Sequence, residues 1–133
     1  MRVLAALLLS VAASAVAADR EVAITIDDIP RGGDGGARTL AAVREMTGRL
    51  LQPFREQKLP VTGFVNAGRL LELGPEGARE ILNLWLDSGA DLGNHSYSHL
   101  NINKVTLDAY TEDIVKGEPL LREALAARGG PMD

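Results

Sequence analysis

The chain has no cysteine, so disulfides cannot hold it together. It has no excess of basic residues either: 14 Lys and Arg stand against 18 Asp and Glu, for a formal net charge of −4. That balance argues against nucleic acid or an anionic surface as the main partner. No apolar run is long enough to span a bilayer comfortably. No internal repeat occurs, and the glycine-rich stretch at Gly32, Gly33, Gly35 and Gly36 lacks both a G-K-[ST] ending and G-x-G-x-x-G spacing. It reads as a plain loop and not as a phosphate cradle. Histidine is scarce too. The two present lie four positions apart, in Asn94-His95-Ser96-Tyr97-Ser98-His99.

The first residues read as a leader. Arg2 gives a positive start, Val3 to Val11 an apolar run, and Ala15-Val16-Ala17 an A-x-A cleavage site. Residues 1–17 are therefore expected to be a secretory signal peptide, with export to the periplasm or the extracellular space. An uncleaved anchor or a buried helix is the alternative for this segment. Cleavage would leave residues 18–133, enough for one domain but not two, and one charge more acidic than the full chain. No stable membrane insertion is expected after cleavage. Without disulfides, a packed core must supply the stability, with a metal as the one additional staple.

Strand and helix patterns alternate along that segment. Glu21 to Ile26 reads as a strand, with Val22, Ile24 and Ile26 on one face and Asp27-Asp28 ending it. From Ala37 onward Leu40, Val43, Thr47, Leu50, Leu51 and Phe54 recur at helical spacing, and Pro53 is expected to interrupt or kink that helix. Val61 to Val65 is a second strand. Gly74-Pro75-Glu76 opens a helix with Ala78, Ile81, Leu82, Trp85 and Leu86 on its buried side, ended by Ser88-Gly89. Trp85 shares that register, so core packing is favoured over stacking on a sugar. Ala90 to Asn94 is a third strand. Thr106 then caps a last helix with Asp108 in its first turn and an apolar stripe of Tyr110, Ile114 and Leu121. Pro119 is expected to break that helix in two, and Gly129-Gly130-Pro131 to end it.

The order β-α-β-α-β-α implies parallel strands joined by right-handed crossovers. Functional groups in such folds gather at the carboxyl ends of the strands. Asp27 and Asp28 end the first strand, and His95 and His99 follow the third. The four-residue spacing puts both imidazoles on one side of a turn or short helix. Two histidines and one carboxylate form a metal site with open positions for water and substrate. Neighbours on a strand face opposite ways, so one Asp would bind metal and the other would serve as a base toward the attacking water. Alone, an Asp-Asp pair is more often a turn or cap, and the histidines a solvated loop pair. Their arrival at one rim makes the combination more specific.

These residues resemble a known family. Thr25-Ile26-Asp27-Asp28-Ile29-Pro30 resembles the T-F-D-D-G-P motif of the polysaccharide deacetylases, the NodB-homology group. His95 to His99 resembles that family's H-[ST]-x-x-H motif, and Phe64-Val65-Asn66 and Gly89 to Asn94 resemble the segments leading into it. The resemblance covers roughly Val22 to Asn103. It implies a partial (β/α) barrel, with parallel strands alternating with helices, apparently truncated. It further implies a hydrolase that removes acetyl groups from a polysaccharide or oligosaccharide of the chitin or peptidoglycan kind. By the same resemblance Asp27 is the general base, and Asp28, His95 and His99 hold a divalent metal, zinc in the first instance.

Two departures stand out. Ile29 occupies the position of the motif's Gly and is expected to change the turn and bring an apolar side chain near the site. The family's later segments, an Arg-x-x-Pro stretch, an Asp/Trp segment and a late His acting as general acid, have no counterpart among residues 1–133. A metal- or glycan-binding remnant without turnover is therefore the competing expectation. A two-metal phosphoesterase fits less well, because the residues for a second metal are missing. Three strands with open edges are expected to leave the isolated chain prone to aggregation.

Overall fold

A computed structural model describes residues 21–33 and 36–129. The leader expected at residues 1–17, the centre of the glycine stretch and the Gly130-Pro131 stop lie outside the described residues. The elements are β1 (Thr25–Ile29), α1 (Leu40–Gln57), β2 (Thr62–Val65), α2 (Ala67–Leu71), α3 (Pro75–Asp87) and β3 (Asp91–Asn94), then a 3-10 turn (Ile102–Lys104) and α4 (Leu107–Ala126). The strands form one parallel sheet in the order β1-β2-β3. This is the expected alternation. All three carboxyl ends fall on one rim.

Each element follows from local chemistry. Thr39 caps α1 by accepting from the Ala42 N–H, and Lys58 closes it in the left-handed region (φ 53°). Pro75 opens α3 at its first turn, where a missing N–H costs nothing. Thr106 caps α4 as expected, accepting from the Ala109 N–H at 3.2 Å. Trp85, Ile81 and Leu82 of α3 are sealed in the core with Val43 and Leu51 of α1, Val61 and Val65 around β2, and Leu70 of α2. Trp85 is thus a core residue.

Several expectations need correction. Val22 is 82 % exposed, and β1 starts only at Thr25. The strand runs through Asp27 and Asp28 instead of stopping at them. Asp has poor strand propensity, but pairing with β2 overrides it. Pro119 does not split α4, and Pro53 does not interrupt α1; both helices run on. A proline orphans the carbonyl four residues back. Those carbonyls belong to Arg49, whose side chain is 75 % exposed, and Val115, 58 % exposed, where water can satisfy them. The buried stripe of α4 is Asp113, Gly117, Leu121 and Ala124. Of the expected stripe only Leu121 is buried, and Ile114 is 38 % exposed. The short helix α2 and the 3-10 turn were not expected.

Ile29 brings the expected apolar side chain to the site, lining the cleft beside Asp27 and Asp28. It is the last residue of β1, buried, and its Cδ1 occupies the space above Gly63 of β2. A Cβ at Gly63 would lie 2.3 Å from that Cδ1 and 2.7 Å from the Trp85 ring. The missing side chain on β2 makes room for the extra one on β1.

Candidate metal and base site

The first strand delivers its carboxylates through a bulge. Between Ile26 and Ile29, β1 advances three residues while β2 advances only from Gly63 to Val65. The extra residue breaks the strict alternation of side chains and re-aims the local backbone. Asp28 absorbs the distortion with φ 62°, a conformation that Asp tolerates better than most residues. Its side chain is one-third exposed.

The histidines stand on an irregular loop after β3, not on a helix. Ser96 and His99 take left-handed backbone angles (φ 65° and 56°) and coil the loop tightly. The imidazole rings meet edge to face with centroids 4.8 Å apart. Each backbone N–H from His95 to His99 has a partner. His95 donates to the Val65 carbonyl (2.9 Å) and Tyr97 to the Asp113 carbonyl (3.0 Å). Ser96 donates to Asn94 Oδ1 (2.8 Å), Ser98 to the Asp113 carboxylate (2.9 and 3.0 Å), and His99 to Ser96 Oγ (3.1 Å). The loop's carbonyls in turn accept from the first N–H groups of α2, Ala67 to Ser96 (3.2 Å) and Gly68 to Tyr97 (2.9 Å). Those groups are donors that a helix cannot satisfy internally.

Helix α4 clamps the loop from the other side. Asn94 Nδ2 donates to the Ile114 carbonyl at 2.8 Å. Gly117 permits the close approach: a Cβ there would lie 2.5 Å from Asn94 Oδ1 and 2.9 Å from the Ser96 carbonyl carbon. Lys116 sits over the Tyr97 ring at 3.9 Å. Asp113 is buried. Burial is the largest single influence on its carboxyl and pushes its pKa up. Hydrogen bonds from the Ser98 backbone and side chain, the Ser96 side chain and the Tyr97 backbone together outweigh it, leaving the group below the ordinary carboxylate range. Reading the sequence alone missed Asp113, Asn94, Gly117 and α2. The available signal was a glycine in mid-helix, which usually has a packing reason.

Asp28, His95 and His99 converge, with one ligand atom from each lying within 4.8 Å of the others. Asp28 Oδ1 is 3.9 Å from His95 Nε2 and 3.5 Å from His99 Nε2. Ligand atoms about 2.0–2.2 Å from a zinc ion lie roughly 3–3.5 Å from one another, so the donor set fits such an ion after small side-chain movements. Phe64 packs near the His95 ring, centroids 6.3 Å apart. Asp27 is not part of the cluster. It is exposed and, with Asp28, Met46, Thr47, Leu50 and Trp85, lines a cleft of about 180 Å³ beside it. Arg69 of α2 donates from Nη1 to Asp28 Oδ1 at 2.8 Å and to the Arg31 carbonyl at 3.3 Å. Arg31 in turn pairs with Glu72 at 2.6 Å, tying the loop after β1 to α2.

A parallel α/β fold with two imidazoles and a carboxylate at the carboxyl rim defines a class of domains with a candidate metal site open to substrate. Within that class the match to known proteins is specific. Residues 15–129 match the polysaccharide deacetylase family, and the chain belongs to it. It is 33 % identical over 101 residues to a peptidoglycan-N-acetylglucosamine deacetylase of Bacillus cereus, a match covering 76 % of this chain and 30 % of that protein. The crystal structure of the Bc1960 peptidoglycan N-acetylglucosamine deacetylase, in complex with an N-oxidanyl-benzamide, superposes with a TM-score of 0.57 at 30 % identity. That match covers 78 % of this chain and 41 % of the other. A family 4 carbohydrate esterase from Streptomyces lividans shares the fold at 22 % identity and TM-score 0.55, over 84 % of this chain and 46 % of that one. The chain thus spans less than half the length of these relatives and matches a partial deacetylase barrel. Among the described residues no helix is long and apolar enough to cross a membrane.

Proposed function

We propose that this chain carries the metal ligands and the base of a polysaccharide deacetylase centre, acting on the acetamido group of an N-acetylated sugar polymer of the peptidoglycan or chitin kind. The observation that carries the reading is the convergence of Asp28, His95 and His99 from the ends of two strands. These three residues would hold a divalent ion, zinc in the first instance, which when bound would polarise the acetyl carbonyl and make water acidic enough to attack at neutral pH. Asp27, exposed at the adjoining cleft, is the proposed base and takes the proton of that water. The packed loop holds both imidazoles in place before substrate arrives. Phe64, beside the His95 ring, offers apolar surface next to the cluster. The relatives' action on peptidoglycan supports a glycan substrate. The apolar run and the A-x-A site at residues 1–17 support export to the periplasm or beyond, where such polymers lie.

A second reading has an observation in its favour. Both histidines of residues 1–133 belong to the cluster, so within this segment a proton donor to the leaving amine is not an imidazole. On that reading the chain binds metal or glycan without turnover. Acetate release from N-acetylated chitooligosaccharide or peptidoglycan fragments separates the two. The deacetylase reading expects zinc-dependent acetate release that Asp27→Asn abolishes while zinc binding persists. Zinc binding without any acetate release would overturn it in favour of the remnant.

A further inference from the structure

Arg69 is a cation placed where a metal centre has no evident need of one. Its Nη1 takes Asp28 Oδ1, the same oxygen that lies 3.5 and 3.9 Å from the two imidazole nitrogens. Partners of metal-binding carboxylates usually orient them. Here orientation is already supplied: the bulge and the left-handed backbone of Asp28 fix where its side chain starts. The histidines are fixed independently by Asp113, Asn94 and the start of α2. What Arg69 adds is charge. Its side chain is only 22 % exposed, and it is held by the Arg31 carbonyl as well as by Asp28. A Cβ on Gly33 would lie 3.2 Å from its Nη2, so the backbone at Gly33 packs close to the guanidinium.

We propose that Arg69 is an affinity-setting residue that competes with the metal ion for Asp28 Oδ1 and keeps the ion exchangeable. This rests on the metal-site reading above. An ion held through Oδ1 must share that oxygen with the guanidinium, and like charges repel at such range with little screening. When the ion is absent, Arg69 pairs with the carboxylate in its place. Charge, and not the shape of the fork, is the operative property, so a lysine can stand in for the arginine.

Zinc titration of the 133-residue chain against a chromophoric chelator tests this, with the metal alone as probe. Arg69→Gln should tighten zinc binding by roughly tenfold, as expected when a like charge a few ångströms from the ion is removed, whereas loss of a partner that only orients the ligand would weaken it. Arg69→Lys should stay near the wild-type affinity, and the gain in Arg69→Gln should shrink at high salt. Metal-free circular dichroism and melting of each variant establish that it is folded. Weaker or unchanged zinc binding in Arg69→Gln would overturn the proposal, as would equal tightening in Arg69→Lys. If the wild type itself binds no zinc, or binds it independently of His95 and His99, the metal-site reading fails instead.

Discussion

The histidine loop after β3 has a partner for each backbone N–H from His95 to His99, whereas the carboxylate facing it from β1 is held by a bulge and one arginine. The two halves of the cluster are thus built differently. The histidine half is cemented to α2 and α4 by a web of hydrogen bonds around the buried Asp113, and breaking one there leaves a donor or acceptor unpaired. The Asp28 half depends on backbone geometry and on a charge that can be exchanged for another. A rigid pair of imidazoles opposite an adjustable carboxylate allows a cation to enter and leave without the loop refolding.

The largest effect should come from wedging the cemented half apart. Gly117→Val puts atoms where Asn94 and Ser96 now lie. It should cost about 3 kcal/mol, the upper range for overpacking, measured by urea denaturation. Gly117→Ala should cost less, because alanine's better helix propensity returns about 1 kcal/mol. Next is Asp113→Ala, which strands the Ser98 N–H and should cost about 2–3 kcal/mol while lowering zinc affinity through a loosened His99.

The same residue fixes a pH dependence. Its carboxyl lies below its ordinary range in the folded chain, so the folded state favours its ionised form. The stability it adds is complete above the unfolded-state value near pH 4 and is lost as pH falls through the lower folded value. Melting temperatures followed down through pH 4 should fall more steeply in the wild type than in Asp113→Asn. On the adjustable side the effects should be small. Glu72→Ala removes the Arg31 ion pair, whose acidic partner is 58 % exposed, and should cost less than about 1 kcal/mol by the same urea measurement.

The difference between the halves also marks what the sequence made legible. Asp28, His95 and His99 could be brought to one rim because parallel strands joined by helices place their carboxyl ends together, and that topology follows from periodicity alone. The cement could not be seen. Asp113 sits beside Glu112 and reads as one more acid on a charged helix, and only docking of α4 on the loop buries it. The bulge at Asp27-Asp28 was hidden because acidic residues at the end of an apolar run look like a stop. Arg69 lies on a five-residue helix too short to announce itself by period. Ile29 was expected to bring an apolar side chain near the site and does so, but its accommodation depends on Gly63, a partner across the sheet and distant in sequence.

The central claim is that Asp28, His95 and His99 act together on one divalent ion. Elemental analysis of the purified chain after zinc loading and desalting tests it most directly. The account predicts close to one zinc per chain in the wild type, and none retained in His99→Ala. Unchanged stoichiometric zinc in His99→Ala would contradict it.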